Sequence, residues 1–366
     1  MGRCFWLKTI AYYISDYGYG HATRSTAIIR ELLKQNEEIE IIICHSFAIE
    51  FLKQSFRYES RVRFREILTD VGYVLKENSL EPDADLLNHQ VASYVSSFHT
   101  KLMYEAHFMK VANVSFVISD ISPLGIAGAY LLNLPSLGIS NFTWFTAYEG
   151  LIGELSLEFL EKRYKQMTYQ FSLACSDEPH WGIKENQSFG FYSREINDSE
   201  VQRMRKEIDP EGKSHIIYFG LGMKVDTGTL SHLPIWQSPN CKFIVSSNVD
   251  VTHPNVYKIP QDETETQHYV AAADLVLTKA GWGTISEAVC AGVPLLITNR
   301  SSLKEDRHTI NYLVHHQLCD LIEWKELESL VVTPSLIETC RRQQLNRYKN
   351  EAVNIAEEIN RKINSK

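Results

Sequence analysis

The stretch from residue 275 to residue 298 constrains the fold more than any other part of this 366-residue chain. It contains an apolar run, Leu275–Leu277, then two glycines, Gly281 and Gly283, a segment of helical composition and a second apolar run. Continuous apolar runs are typical of parallel strands that are covered on both faces. A glycine and a proline end the helical segment. The stretch therefore predicts a strand, turn, helix and strand of a parallel α/β sheet.

The glycine turn of this unit is a candidate phosphate-binding site. Gly281 and Gly283 allow the backbone to turn sharply and place no side chain in the way of a ligand. The helix that follows, predicted to begin at Thr284, presents free amide hydrogens and the positive end of its dipole beyond the carboxyl end of the strand. Phosphate groups bind at such helix starts, so we expect an anionic ligand here.

Glu287, one turn inside this helix, has two interpretations. Thr284 and Glu287 have the spacing of a capping box, in which the glutamate accepts a hydrogen bond from the amide of the capping residue. The carboxylate could equally accept hydrogen bonds from the two hydroxyls of a ribose. Spacing alone favours the capping box, because that motif is common at helix starts.

Size and composition restrict the class of protein. The chain is longer than one hydrophobic core usually supports, and its 44% hydrophobic and 22% charged residues are those of a soluble globular protein. A net charge of -8 argues against a general nucleic-acid partner. The seven cysteines form no C-x-x-C pair, which favours buried free thiols, and no stretch is apolar enough to span a bilayer. We therefore expect a cytoplasmic protein whose only membrane contact would be peripheral.

The first half of the chain begins with a strand, a glycine loop and a helix. His21 stands directly after Gly18 and Gly20, at the predicted carboxyl end of the first strand. Ligands of open parallel sheets bind at that edge, which makes His21 a candidate base as well as a structural histidine. Asp16 and Asp120, each at the end of a predicted strand, are candidates to orient it.

A polar and aromatic group follows a later strand of the same half. Asn141, Thr143 and Trp144 come directly after an apolar run that ends at Ser140. The carboxyl ends of parallel strands lie at one edge of the sheet, so we expect this group to face the same crevice as His21. Aromatic residues in such positions are also common in hydrophobic cores.

Two charged motifs receive structural interpretations. Asp83 and Asp85 have the D-x-D spacing with which some sugar transferases hold a divalent metal, but they open a long helix, where acidic residues interact favourably with the dipole. We therefore expect no metal site. Arg61, Arg63 and Arg65 share one face of a strand; a solvated edge is the simpler interpretation, and a contact for an anionic acceptor or a membrane surface is the alternative.

The strand, turn and helix pattern fades between residues 186 and 213 and then restarts. The sequence therefore predicts the α/β class, with two Rossmann-like doubly wound domains that face each other across a cleft. We expect an N-terminal domain at residues 1–205 and a C-terminal domain at residues 206–344. The helix at about 345–366 is expected to pack back on the N-terminal domain.

These motifs together resemble those of a known family. The G-H pair of the first loop, a glycine turn that opens the second half, and the pattern T-K-x-G-x-G-T-x-S-E-A followed by G-x-P are similar to nucleotide-sugar glycosyltransferases of the GT-B fold. The resemblance is greatest to the branch that contains the peptidoglycan N-acetylglucosaminyltransferase. It extends to the glycosyltransferase-like part of plant arabinose kinases, which carry S-D-x-x-P and N-F-S/T-W patterns like those at residues 119–123 and 141–144.

The resemblance implies a role for both domains. The N-terminal domain would hold the acceptor, with Gly20, Asn141, Thr143 and Trp144 on the acceptor side, and His21 matches a histidine that acts as base or lines that site. The C-terminal domain would bind the nucleotide-sugar donor. Its implied donor-binding residues are Gly220, Gly222, Met223, Lys279, Gly281, Trp282, Gly283, Thr284, Glu287, Glu305 and Asp306.

Within the donor-binding set, the glycines and Thr284 would hold the diphosphate, and Glu287 matches the glutamate that binds the ribose hydroxyls. This match reverses the preference for a capping box. Glu305 and Asp306 would contact the donor sugar. The glutamine expected in that pair is absent and Arg307 stands next, which leaves the identity of the sugar open.

The implied function is the transfer of a sugar from a nucleoside diphosphate, expected to be UDP-linked, to a hydroxyl acceptor that the sequence does not identify. Helix-end amides would neutralise the leaving diphosphate, so neither a metal nor a cofactor is expected. His21 would take the proton of the attacking hydroxyl, with Asp120 as a second candidate catalytic residue. The reaction would be a single displacement with inversion at the sugar carbon.

Three alternatives remain. A nucleotide-sugar 2-epimerase has the same scaffold but needs several acid–base groups around the donor sugar, and few stand in the matching loops. A nucleotide-sugar or glycan-binding protein without catalysis would have the same fold. A dinucleotide-dependent oxidoreductase is disfavoured, because the first loop lacks the G-x-G-x-x-G spacing and no acidic residue ends the second strand.

Overall fold

The computed structural model of the chain describes residues 7–77, 81–220, 230–299, 302–343 and 348–365. The chain divides into two compact units. Unit 1 contains Met1–Leu75, Pro82–Gly190 and Glu351–Lys366, and unit 2 contains Lys76–Glu81 and Phe191–Asn350.

Unit 1 alternates strands with helices along the chain. Its strands are β1 (Lys8–Ile14), β2 (Ile39–His45), β3 (Val62–Glu66), β4 (Val114–Asp120), β5 (Ser136–Ser140), β6 (Tyr169–Ser172) and β7 (Glu185–Ser188). The helices between them are α1 (Tyr19–Gln35), α2 (Ile49–Ser55), α3 (Ala84–Val111), α4 (Pro123–Leu131), α5 (Trp144–Tyr148) and α6 (Glu154–Tyr164).

The strands of unit 1 form one parallel sheet with the order β3-β2-β1-β4-β5-β6-β7. The apolar residues of its central strands are buried on both faces, as continuous apolar runs predict. The strand order reverses between β1 and β4. The carboxyl ends of those two strands therefore border a topological switch point, where open parallel sheets bind ligands.

Unit 2 repeats this plan with a second set of elements. Its strands are β8 (His215–Gly220), β9 (Cys241–Val245), β10 (Val256–Lys258), β11 (Leu275–Lys279), β12 (Leu295–Thr298) and β13 (Asp320–Ile322). Its helices are α7 (Asp198–Ile208), α8 (Gln267–Ala271), α9 (Trp282–Ala291), α10 (Lys304–His315), α11 (Trp324–Leu327) and α12 (Pro334–Gln343), with a short 3₁₀ helix at Pro234–Gln237. After unit 2 the chain returns to unit 1 with α13 (Ala352–Asn364).

The sheet of unit 2 is also parallel, with the order β10-β9-β8-β11-β12-β13. This is the order of the first six strands of unit 1, so the switch point here lies between β8 and β11. The predicted α/β class, with two doubly wound sheets, is confirmed.

The border between the units differs from the expected one. Unit 2 begins at Phe191, ahead of the expected boundary at residue 205, because α7 belongs to it. This helix buries only an apolar stripe, Val201, Met204 and Ile208, and exposes a charged face. The stretch at residues 186–213, where the strand, turn and helix pattern fades, therefore contains an amphipathic helix.

Helix α13 packs on α1 of unit 1. Its buried face is made of alanines and isoleucines, among them Ile355 and Ile359. At its end, the Lys8 ammonium donates hydrogen bonds to the Ile363 carbonyl at 3.2 Å and to the Asn364 side chain at 2.8 Å. These contacts attach the end of the described chain to the first strand of unit 1.

The D-x-D motif and the arginine stripe have structural partners. Asp83 is the N-cap of α3 and accepts a hydrogen bond from the Leu86 amide at 2.9 Å, as the dipole argument predicts. The three arginines of β3 and its approach each form an ion pair with a glutamate: Arg61 with Glu59, Arg63 with Glu40 and Arg65 with Glu105. These pairs neutralise the stripe and favour its structural interpretation over an anion contact.

The cellular location predicted from the sequence concerns two features of the structure, the state of the cysteines and the apolarity of the helices. Cys44, Cys175, Cys241, Cys290, Cys319 and Cys340 are free and buried. Of the helices in the described ranges, none is long and apolar enough to cross a membrane. The cytoplasmic location stays a prediction.

Candidate functional site

The loop between β1 and α1 carries His21 to the switch point of unit 1. Gly18 has a φ of 76°, in the left-handed region that favours glycine, and Gly20 borders open space. Helix α1 then begins at Tyr19, and His21 lies in its first turn. The imidazole is 5% exposed and packs edge-on against Phe142, with ring centroids 5.8 Å apart. The loop and helix therefore hold His21 in one orientation beside the end of β4.

Asp120, the last residue of β4, is the hydrogen-bond partner of His21. The distance from His21 Nδ1 to Asp120 Oδ1 is 3.0 Å, and the aspartate is 1% exposed. Asp120 ends β4, and His21 lies in the helix that follows β1, so the pair lies where the two strands of the switch point end. The sequence offered Asp120 and Asp16 as candidates to orient His21, and the structure pairs His21 with Asp120.

Asp16, the other candidate to orient His21, ties neighbouring loops together. Its Oδ1 atom accepts hydrogen bonds from the amides of Ser46 and Phe47, both at 2.8 Å, and its Oδ2 atom accepts one from the Thr69 amide at 2.6 Å. The loops that follow β1, β2 and β3 are thus joined through one carboxylate. Asp120, rather than Asp16, accepts from His21.

Arg24 completes the cluster, and the sequence interpretation missed it. It lies one turn after His21 on α1, is 5% exposed, and donates from Nε to Asp120 Oδ2 at 2.7 Å and from Nη2 to Asp120 Oδ1. Its Nη1 atom donates to Asn141 Oδ1 at 2.8 Å, and Nη2 also donates to Ser140 Oγ at 2.8 Å. The sequence signal that could have found it is the i, i+3 spacing from His21, which places both side chains on one helix face.

The electrostatics of this cluster keep His21 neutral and Asp120 charged at neutral pH. Burial and the Arg24 guanidinium lower the pKa of His21, against the opposite effect of Asp120. Burial alone would raise the pKa of Asp120, but Arg24 and His21 hold that pKa well below its usual range. A neutral imidazole beside a carboxylate is equipped to accept a proton and to have the resulting charge stabilised.

Of the residues predicted on the acceptor side, Asn141 contacts this cluster, and Thr143 and Trp144 belong to the buried core next to it. Asn141 accepts from Arg24, while Thr143 donates from its amide at 2.9 Å and from Oγ1 at 2.8 Å to the Glu178 carboxylate. Trp144 is 1% exposed and stacks on Tyr148. Their contacts are those of a core that supports the site; contact with an acceptor stays a prediction.

Asp70 is a second buried acid that the sequence interpretation missed. It is 1% exposed, accepts from the Trp144 indole at 2.9 Å and accepts from the Asp16 amide at 3.0 Å. Burial, together with the nearby Asp16 carboxylate, raises the pKa of Asp70 to about 7. This acid therefore titrates near neutral pH, immediately behind the loop that carries His21.

In unit 2, helix α9 begins where the glycine turn predicts a phosphate site, but two residues earlier than expected. Gly281 is the N-cap, the helix starts at Trp282, and no described side chain caps it. The amides of Gly283 and Thr284 lie in the first turn, where an α-helix supplies no internal acceptor. The Lys279 ammonium lies beside Gly281, 3.8 Å from the position that a Cβ atom would take at that glycine. A helix start and a cation thus meet at the end of β11.

The capping-box interpretation of Thr284 and Glu287 is wrong. Because the helix starts before Thr284, that residue lies inside the first turn and Glu287 lies in the second. The Glu287 carboxylate instead accepts a hydrogen bond from Arg194 Nη2 at 2.7 Å. Arg194 is 2% exposed, and it also donates to the Thr264 carbonyl and to Thr266 Oγ1. The sequence offered no signal for this partner, which lies far from Glu287 along the chain.

The segment that carries Arg194 is fixed on α9 by its backbone. The Tyr192 amide donates to Ser286 Oγ at 3.0 Å, and that hydroxyl donates back to the Tyr192 carbonyl at 2.6 Å. Trp282 is 5% exposed and packs against Tyr192 and Phe191, with ring centroids 5.2 and 6.1 Å apart. The indole therefore serves the packing of unit 2 rather than an open stacking surface for a donor.

The remaining donor-binding candidates occupy varied positions. Gly220 ends β8, where a Cβ atom would come within 2.6 Å of the Tyr218 ring, so close packing requires glycine there. Gly222 and Met223 fall outside the described residues. Glu305 and Asp306 lie in the first turn of α10, with Asp306 only 1% exposed. Contact of this acidic pair with a donor sugar stays a prediction.

One part of the chain matches a family model. Residues 247–364 match the glycosyltransferase family 28 C-terminal domain. The matched region contains the β11–α9 turn, Lys279 and Glu287, which are the residues of the candidate anion site in unit 2.

Similar sequences extend over most of the chain. An L-arabinokinase of Arabidopsis thaliana is 23% identical over 315 residues, which are 84% of this chain and 30% of that protein. The chain thus spans less than a third of that relative. A protein of Methanosarcina acetivorans described as an uncharacterized glycosyltransferase is 25% identical over 314 residues, 78% of each chain.

Solved structures with the same fold cover nearly the whole chain. The calicheamicin glycosyltransferase CalG4 has a TM-score of 0.63 at 14% identity, covering 97% of this chain and 98% of its own. UGT2 of Phytolacca americana, solved in complex with UDP-2-fluoro-glucose and pterostilbene, has a TM-score of 0.62 at 13% identity, covering 98% and 100%. Together with the match of residues 247–364 to a glycosyltransferase family 28 domain, these findings confirm the resemblance that the motifs predicted and show that the chain has the GT-B fold.

Proposed function

We propose that the protein transfers a sugar from a nucleoside-diphosphate sugar to a hydroxyl group of an acceptor, with His21 as the base. The observation that carries this proposal is the buried hydrogen bond of 3.0 Å between His21 and Asp120 at the switch point of unit 1. A neutral histidine oriented by a carboxylate is the arrangement that proton removal from a hydroxyl requires.

The donor would bind to unit 2 at the start of α9. The amides of Gly283 and Thr284 and the Lys279 ammonium supply hydrogen-bond donors and positive charge for the diphosphate, without a metal. Glu287, which Arg194 holds at 2.7 Å, would accept from the ribose hydroxyls. The UDP sugar bound to the Phytolacca americana structure supports a UDP-linked donor.

The chemistry would be a single displacement. The Nε2 atom of His21 takes the proton of the acceptor hydroxyl, and the oxygen forms a bond to the anomeric carbon of the donor sugar. The bond from that carbon to the diphosphate oxygen breaks, and its electron pair leaves with the diphosphate. Attack on the face opposite the leaving group inverts the configuration. Asp120 stabilises the imidazolium until the proton reaches water.

Ligand binding tests the donor half of the proposal. UDP, TDP, GDP and UDP-sugars would be added to the protein and to the variants Glu287→Ala and Glu328→Ala, and the melting temperature and Kd measured. Glu328 is exposed on unit 2 and provides the matched control. We expect one nucleotide, at about 100 times its Kd, to add about 2.7 kcal/mol to the free energy of unfolding. Glu287→Ala should abolish this stabilisation, and Glu328→Ala should retain it. Equal binding by both variants would contradict the ribose assignment.

Product analysis tests the transfer itself and separates it from the alternatives. The donor that binds would be incubated with and without a panel of hydroxyl acceptors, and the products identified by mass spectrometry and NMR. Transfer requires an acceptor and yields the inverted linkage. A new sugar nucleotide formed from donor alone would support the 2-epimerase, and binding without turnover on any acceptor would support a non-catalytic binding protein.

A further inference from the structure

Arg24 binds the partner of His21 more extensively than a simple ion pair requires. Its Nε and Nη2 atoms donate to the two different oxygens of Asp120, so the guanidinium and the carboxylate meet in bidentate fashion. Its Nη1 atom is held by Asn141 at 2.8 Å. A bidentate contact of this kind fixes the plane of the carboxylate as well as its position. The orientation of Asp120 is therefore set by Arg24.

The hydrogens of Nη2 determine which nitrogen of His21 carries the proton. Nη2 lies 2.9 Å from His21 Nδ1, and it also contacts Asp120 Oδ1 and, at 2.8 Å, Ser140 Oγ. An Nη2 atom carries two hydrogens, and these two oxygens accept both. Nδ1 therefore receives no hydrogen from Arg24, and it carries its own proton, which it donates to Asp120 Oδ1 at 3.0 Å. The lone pair of the neutral ring is then on Nε2.

We propose that Arg24 is a positioning residue that fixes Asp120 and thereby holds the His21 proton on Nδ1, so that Nε2 faces the reaction as the base. This inference deepens the proposed function and rests on it for the role of Nε2. The tautomer itself is a property of the free protein.

Arg24 also determines the charge that the cluster carries. The charged and titratable groups that act on His21 come from three elements: Arg24 on α1, Asp120 at the end of β4 and His45 at the end of β2. Asp120 favours the imidazolium, whereas Arg24 and His45, like burial, disfavour it. With Arg24 present, the charge of Asp120 is already balanced before His21 takes a proton. His21 therefore remains a free base at pH values at which an isolated His–Asp pair would be protonated.

NMR of the ligand-free protein tests the positioning role. Histidine labelled with ¹⁵N would report the tautomer and the pKa of His21 in the wild type, Arg24→Gln, Arg24→Lys and the control Arg65→Gln. Arg65 forms a bidentate pair with Glu105 in the same unit, at 2.7 and 2.6 Å, and provides a matched loss of a guanidinium outside the cluster. We expect the Nδ1–H tautomer in the wild type and in Arg65→Gln.

The two Arg24 variants separate charge from geometry. Arg24→Gln should mix the tautomers and raise the pKa of His21 by about one pH unit or more, because a nearby positive charge is lost. Arg24→Lys keeps the positive charge but loses the bidentate contact with Asp120. The pKa of His21 should therefore stay low while its two tautomers mix. An Nε2–H tautomer in the wild type, or an Arg24→Gln spectrum identical to the wild type, would overturn the proposal. If Arg24→Gln does not fold, the wild type and Arg24→Lys still decide.

Kinetics separate this proposal from the proposed function. In Arg24→Gln the midpoint of the acidic limb of the kcat/KM profile should shift to higher pH by the same amount as the pKa of His21. In Arg65→Gln this midpoint should not change. The predicted NMR result without turnover on any substrate would leave the positioning role standing and reject the transferase chemistry. If Arg24→Gln turns over substrate and the midpoint of its acidic limb is that of the wild type, the positioning role is rejected and the transferase reaction still stands.

Discussion

The two switch points of this molecule share a strand order and differ in chemistry. In unit 1 the space beyond β1 and β4 is occupied by ionisable side chains: a histidine, an aspartate and an arginine, each at most 5% exposed. In unit 2, among the residues that the structure describes, the space beyond β8 and β11 is bordered by a glycine turn, helix amides and Lys279. The proposed function assigns proton removal to the first switch point and diphosphate binding to the second.

In both units the doubly wound sheet therefore supplies the location of a site, and the side chains after the strands determine its chemistry. Both units place a strand end, a turn and a helix start at the same point of the topology. What decides the chemistry is whether the residues after the strand have side chains that fill the crevice or glycines that leave it to a ligand.

Removing the base should affect transfer and leave donor binding intact. In His21→Ala we expect kcat to fall by about 10²–10⁴-fold, the usual contribution of a general base. The Kd for the nucleotide should not change, because its proposed contacts lie in unit 2. Steady-state kinetics and calorimetric titration with the nucleotide measure the two quantities. Undiminished turnover would show that His21 is not the base.

Removing Arg194 should instead weaken unit 2. The Glu287 carboxylate, only 8% exposed, would lose the cation that holds it, and breaking a buried pair from one side costs about 3 kcal/mol. Urea unfolding of Arg194→Met measures this loss. The control Arg203→Met removes an exposed pair with Glu200 on α7 and should leave the free energy of unfolding unchanged. Equal stability of both variants would contradict the structural importance of the buried pair.

The buried acid of unit 1 should make stability depend on pH near neutrality. The folded pKa of Asp70 is about 7, above the ordinary value of 3.8, so the folded state retains a proton that the unfolded state has released. The stability this provides is present at low pH and is lost as the pH rises through about 7. Between about pH 5 and pH 8 the loss should be about 3 kcal/mol.

Comparison of the wild type with Asp70→Asn isolates this contribution, because the amide does not titrate. The variant loses one acceptor toward Trp144 or Asp16 and should be less stable at every pH. The decisive quantity is the slope of the unfolding free energy against pH, which should flatten. A slope equal to that of the wild type would assign the pH dependence to other groups.

The sequence predicted the parts of the molecule that depend on local patterns. Continuous apolar runs identified the central strands, glycine turns identified the helix starts, and the G-H and T-K-x-G-x-G motifs identified His21 and the α9 turn. The polar edge strand β7, Glu185–Ser188, has no apolar run and was not predicted. A strand at a sheet edge is partly exposed and needs no apolar residues.

The pairings inside the site could not be predicted, because they join residues that are distant along the chain. Asp120 was ranked beside Asp16 as a partner for His21, and only the pairing of β1 with β4 decides between them. Arg24 and Arg194 carry no motif of their own. The spacing of Thr284 and Glu287 suggested a capping box wrongly, since spacing does not specify which residue is the N-cap, and Gly281 is the N-cap here. Sequence patterns therefore pointed to the two candidate sites, and only tertiary contacts show which residues pair within them.

Helix α13 has a consequence for the order in which the chain acquires its structure. Unit 1 is assembled from segments that lie before and after unit 2, and the apolar face of α13 covers α1, the helix that bears His21. A ribosome must therefore synthesise all of residues 191–350 before it supplies the helix that completes the earlier unit. Until then the nascent chain exposes an uncovered helix face for a chaperone to protect, and residues 7–190 expressed alone should be prone to aggregation.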